Sequence, residues 1–137
     1  MVHAAELHRK LFDAIQSRDL STIQALLHPD CIYRVGDGIE QEGPEAVIES
    51  VRAFTTAFPD LSIDVQRQFE PSDDVSIIEY VFSGTHRGQL ETYPATGRRV
   101  EVVACSIIDA HDGQIAREHD YYDVMAMMGQ LGVTDTA

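Results

Sequence analysis

Positive charge is scarce in this chain. Ten Lys and Arg residues stand against 23 Asp and Glu, for a formal net charge of −13. A surface of that sign repels phosphate backbones and anionic lipid, so no nucleic-acid and no membrane partner is expected. Long apolar runs are missing too, since none approaches the roughly 18 residues that span a bilayer. The opening MVHAAELHRKLFDAIQSRD carries charge throughout and lacks the apolar h-region of a signal peptide, which makes the cytoplasm the expected location. Cysteine is limited to Cys31 and Cys105, isolated from each other and without metal-like spacing. Such residues read as buried thiols in a reducing compartment.

Familiar chemical motifs are equally sparse. There is no Gly-rich phosphate loop, no GxSxG elbow and no HExxH pair. The histidines are His3, His8, His28, His86, His111 and His119, and no two have the i, i+4 spacing of helical metal ligands. His3 and His8 fall on a charged helix and read as solvated, while His111 belongs to a turn. Neither a metal nor a cofactor is expected. No repeat or low-complexity segment breaks the chain.

What the sequence does have is periodicity. Its 137 residues, 44% hydrophobic, suit one compact domain over 1–137, with a core at about 5–132 and a loose polar tail. Residues 3–18 read as an amphipathic helix with Leu7, Leu11, Phe12 and Ile15 on one face. Ser21 is placed to cap a second helix through Leu27, and His28-Pro29-Asp30 ends it. Cys31 to Val35 reads as a short strand before a Gly-Asp-Gly turn. Gly43-Pro44 opens a helix with Val47, Val51, Phe54 and Phe58 as its buried stripe, and Pro59 stops it.

Beyond Pro59 the period changes to two. Strands are expected at 61–69, 75–82, 99–110 and 113–123, with an irregular segment at 83–97 and a hairpin turn at His111-Asp112-Gly113. Val100, Val102, Ala104, Ser106 and Ile108 share one face, and Val103, Cys105 and Ile107 the other. Residues 124–131 resemble a short closing helix, whose Met125, Met127 and Met128 read as packing residues. Helices first and strands after imply an α+β domain, with helices on one face of an antiparallel sheet.

Three stretches carry a family resemblance: the Phe58-Pro59-Asp60-Leu61 lead-in to the sheet, FSGTHRGQLETYPATG at 82–97, and DGQIAREHDYYDVMAMMGQLG at 112–132. Together they resemble the SnoaL-like polyketide cyclases and ester cyclases of the nuclear-transport-factor-2-like superfamily. The resemblance implies a curved sheet wrapped around the N-terminal helices, a cone with an apolar cavity (the cystatin-like architecture). It implies an Asp in that cavity on the last strand, which Asp120 matches. It also implies a His on the neighbouring strand, and counting back across the hairpin puts Ser106 there instead. His86, in GTHRG, matches a family histidine and is the second catalytic candidate. Tyr33, Tyr80, Ser106 and Tyr122 are candidates to line the cavity and bind substrate.

In such cyclases a buried carboxylate removes a proton next to a carbonyl, and the enolate closes a ring by intramolecular aldol attack. The implied partner is an apolar or polyketide-like small molecule, and the implied assembly a homodimer through the sheet's outer face. The alternative is a non-catalytic module that binds an apolar small molecule in the same cavity. Arg117 and Asp120 are three apart and face opposite sides of a regular strand, so the Asp–Arg–Asp arrangement of limonene-type epoxide hydrolases does not form there.

Overall fold

The computed structural model describes residues 2–133; Thr134 to Ala137 of the expected loose tail lie outside the described residues. The first helix, α1 (Ala4–Gln16), buries Leu7, Leu11 and Phe12, as its spacing requires. It buries His8 as well, which corrects the solvated reading. His8 lies at i+4 from Ala4 and i−4 from Phe12, so the helical repeat carries it inward with them. A second helix, α2 (Leu20–Leu26), is capped by Asp19 rather than by Ser21. The Asp19 carboxylate accepts from the Thr22 N–H at 3.1 Å and from the Ser21 hydroxyl at 2.9 Å. Asp19 precedes the first helical residue and can reach an orphan N–H that Ser21, already inside the helix, cannot.

Strand β1 (Leu27–Val35) starts earlier than expected and takes in Pro29. Its ladder is interrupted between Leu27 and Ile32, where the missing proline N–H costs no sheet bond. A two-residue strand, β2 (Gln41–Glu42), was not foreseen; both residues are exposed and offer no alternation to read. Helix α3 (Pro44–Ala57) has Pro44 at its start and buries Val47, Ile48 and Val51. Phe58 at its C-terminus is fully buried.

The remaining strands are β3 (Ser62–Ser72), β4 (Val75–Thr85), β5 (Arg99–His111) and β6 (Gln114–Tyr122). They pair antiparallel in sequence order. The sheet is nevertheless mixed, with order β2-β1-β6-β5-β4-β3 and β1 parallel to β6. The α+β class stands, and the purely antiparallel sheet is corrected: β1 joins the far edge by a long-range pairing that no local pattern signals. Register shifts in the β3–β4, β5–β6 and β1–β6 ladders bend the sheet. On β5 the alternation holds, with Val100, Val102, Ala104, Ser106 and Ile108 buried and Glu101 and Val103 exposed.

The loop between β4 and β5 folds back on the end of α3. The Gly88 N–H donates to the Ala57 carbonyl at 3.1 Å, and a Cβ on Gly88 would lie 2.1 Å from the Thr56 carbonyl oxygen. Closing helix α4 (Val124–Leu131) is capped by Asp123 and ended by Gly132 in a left-handed conformation. It buries Met127 and Leu131. Met125 is 73% exposed, so only two of the three methionines pack. Cys31 is buried and Cys105 half-buried, both as free thiols. No described helix is long and apolar enough to cross a membrane.

Candidate active site

Two apolar clusters build the interior. One joins α1 and α3 to β1 and the β5–β6 hairpin, and the other joins Phe58, Phe82 and α4 to the first half of β5. Between them, a cavity of about 90 Å³ is left open. Helix α1 contributes Ile15, and α3 contributes Val47, Ser50, Val51 and Phe54. Leu61 and Ile63, then Tyr80 and Phe82, form the wall on the β3–β4 side, and Tyr33 comes from β1. The β6 side is different in kind: Glu118, Asp120 and Tyr122 point into the cavity together.

Alternation explains this trio. Glu118, Asp120 and Tyr122 are two apart and share the inner face, while Arg117 faces outward and reaches Glu40 at 3.4 Å. The family resemblance singles out Asp120 and passes over Glu118. The signal was present in the same period of two that placed Asp120. Glu118 is 4% exposed, and its Oε1 is buried without a hydrogen-bond partner. Asp120 Oδ1 is equally sealed and unpartnered. Its other oxygen, Oδ2, accepts from the Tyr33 hydroxyl at 3.4 Å, and Tyr33 also meets Ser50 Oγ at 3.2 Å.

Burial pushes the Glu118 carboxyl well above the ordinary carboxylate range, and the neighbouring Asp120 charge pushes it further. Burial raises Asp120 too, but its polar neighbours Glu118, Ser106 and Tyr33 hold it back. Both carboxyls are thus weaker acids than usual, Glu118 the more so. Burial first, then the two carboxylates, raises Tyr33 and Tyr80 well above their usual range, so both stay neutral hydroxyls.

Ser106 stands directly across the β5–β6 ladder from Asp120, where a register shift beside Asp109 and Ala110 brings it. It is fully buried and does not line the cavity. Its partner is His8, whose Nε2 lies 3.0 Å from Ser106 Oγ; His8 Nδ1 lies 2.7 Å from Ser76 Oγ. The Gln68 amide N–H donates to the Ala5 carbonyl at 2.9 Å and to Ser76 Oγ at 3.2 Å. The neutral imidazole bridges Ser76 and Ser106, donating to one hydroxyl and accepting from the other. Burial lowers His8 to about 3, so the ring is neutral.

His86 lies elsewhere. It is fully buried against Phe58, with a ring-centroid distance of 5.6 Å, and is not part of the cavity wall. Its Nδ1 accepts from the Thr96 N–H at 3.2 Å and meets Thr96 Oγ1 at 3.0 Å, pinning the β4–β5 loop. The structure thus gathers Asp120, Tyr33, Tyr80 and Tyr122 in one cavity, sets Ser106 just behind it, and separates His86 from it.

The architecture is helices packed against a curved mixed sheet, with two acids on the wall of an apolar cavity. The SnoaL-like polyketide cyclase family model matches residues 5–131, and the chain belongs to that family. It is similar to the aklanonic acid methyl ester cyclase DnrD of Streptomyces peucetius, 25% identical over 129 residues, covering 93% of this chain and 89% of the relative. It is similar in structure to IdmH of Streptomyces antibioticus, assigned as a polyketide cyclase, with TM-score 0.77 and 27% identity over 93% of this chain and 97% of that one. A protein from Jannaschia sp. CCS1 assigned as a SnoaL-like polyketide cyclase shares the fold with TM-score 0.87 and 20% identity, over 97% and 95% of the two chains.

Proposed function

We propose that this protein is a cofactor-independent acid/base enzyme that closes a ring, or moves a double bond, within a polyketide-like carbonyl compound, with Asp120 as the base. The observation that carries this reading is Asp120 on the wall of an apolar cavity with its Oδ1 buried and unpartnered. A buried carboxylate oxygen without a partner is costly, so its retention there asks for a use. Burial raises its basicity toward working pH, which suits proton removal beside a carbonyl. A cavity of this kind can hold the two reacting carbons of one molecule together. Its volume of about 90 Å³ fits a reacting segment rather than a whole multi-ring molecule, so the rest of a large substrate would lie at the mouth. Membership of a cyclase family and the similarity to DnrD support the reaction class.

The test compares wild type with Asp120→Asn on polyketide-like and 1,3-dicarbonyl substrates. The variant keeps shape but cannot accept the proton, and a loss of about 10²- to 10⁴-fold in rate is expected. Equal turnover in both would sink the base assignment. Binding without turnover in either protein would instead favour a module that holds an apolar ligand. The same reading includes a homodimer through the sheet's outer face, where Val103 is 65% and Tyr121 43% exposed beside Cys105.

A further inference from the structure

Asp120 explains only half of what the cavity wall contains. Glu118 is more buried than any other acidic residue described, it lines the same cavity, and one of its oxygens has no partner. No residue lining the cavity is a Lys or Arg. The groups facing Glu118 are Asp120 on its own strand, Tyr33 and Cys31 on β1, and Tyr80 on β4. None of them is a cation. A second ionised carboxylate there would face uncompensated repulsion in an apolar wall. Glu118 is thus kept as a neutral acid at neutral pH, an O–H donor set beside a base.

We propose that Glu118 is a second catalytic residue: its carboxylic acid gives a proton to the substrate carbonyl oxygen as Asp120 takes one from the adjacent carbon. This rests on the reading of Asp120 as base. In the first step the C–H bond breaks to Asp120 and its electron pair forms the C=C bond. The C=O pair moves to oxygen, which takes the Glu118 proton. In the second step the enol carbon attacks the second carbonyl and forms the C–C bond. The enol O–H proton returns to Glu118 as the first C=O re-forms, and the new alkoxide takes the proton held on Asp120. Both carboxyls end as they began. The pair carries one negative charge throughout, so neither step leaves the apolar cavity holding a dianion or an unprotonated enolate.

The experiment has two arms. In the first, carboxyl-carbon NMR titration of wild type, Glu118→Gln and Asp120→Asn needs no substrate. Glu118 should titrate well above the ordinary Glu range in wild type and fall in Asp120→Asn, whereas Asp120 should not fall in Glu118→Gln, because Glu118 lowers it. An ordinary Glu118 titration in wild type overturns the proposal, whether or not either variant folds. In the second arm, heptane-2,6-dione, a small 1,5-diketone, is followed to its cyclic aldol product across pH. Glu118→Gln should lose about 10²-fold or more in kcat, together with the basic limb of the pH profile. A wild-type kcat and basic limb in Glu118→Gln overturns the acid role and leaves the base intact. Asp120→Asn with wild-type turnover sinks the base, and this proposal with it. If wild type does not turn over the diketone, the titration arm decides.

Discussion

His8 offers a measurement that isolates one buried group. In the folded protein its ring is fully buried between Ser76 and Ser106, and burial lowers its pKa from 6.5 to about 3. The unfolded chain exposes the ring, which then titrates at its ordinary value. Because the folded pKa is depressed, the unfolded state binds the extra proton over the interval between the two values. Stability from this group is therefore complete above about pH 6.5 and is lost as pH falls, with the loss levelling off below about pH 3. Between pH 7.5 and 5 the loss is about 2 kcal/mol. At pH 5 that figure barely depends on the folded value, so long as it stays below about 4.

Glu118 and Asp120 work in the opposite sense. Their folded values are raised, so they recover stability as pH falls through those values. The wild-type curve mixes the two trends, and a difference is needed to separate them. His8→Gln keeps an amide that can donate to Ser106 and accept from Ser76 but has nothing to titrate. Urea unfolding followed by far-UV circular dichroism at several pH values gives both curves. Wild type should lose about 2 kcal/mol more than His8→Gln between pH 7.5 and 5. Parallel curves would refute the buried, neutral imidazole.

Two further expectations concern packing and assembly. Gly88→Ala should lower stability by about 1–3 kcal/mol, seen as a fall of several degrees in Tm, because its Cβ would meet the Thr56 carbonyl oxygen at 2.1 Å and backbone must move. An unchanged Tm would show that the loop is not held against α3 as described. Light scattering at micromolar concentration should give about twice the 15.2 kDa chain mass. A monomer mass would reject the outer face as an interface, and Val103→Lys should weaken the dimer without disturbing the cavity on the opposite side of β5.

The sequence by itself determined whatever local periodicity controls. Helical spacing placed the buried stripes of α1 and α3, and the period of two on β5 decided which face carries Val100 to Ile108. The pairing of Asp120 with Ser106 was not fixed by the two-residue turn alone: counting from His111 and Gln114 gives His119, and the bulge beside Asp109 and Ala110 moves Asp120 into place. Glu118 was legible in the same alternation, two residues before Asp120, and needed only the rule already applied to its neighbour. Other features depended on contacts between distant residues. His8 is 68 residues from Ser76 and 98 from Ser106, and an isolated histidine on a charged helix shows nothing of either serine. The parallel pairing of β1 with β6 and the removal of His86 to the β4–β5 loop are likewise products of tertiary approach. Only the folded cavity decides which carboxylate oxygens are sealed from water, because desolvation is a property of every surrounding element at once.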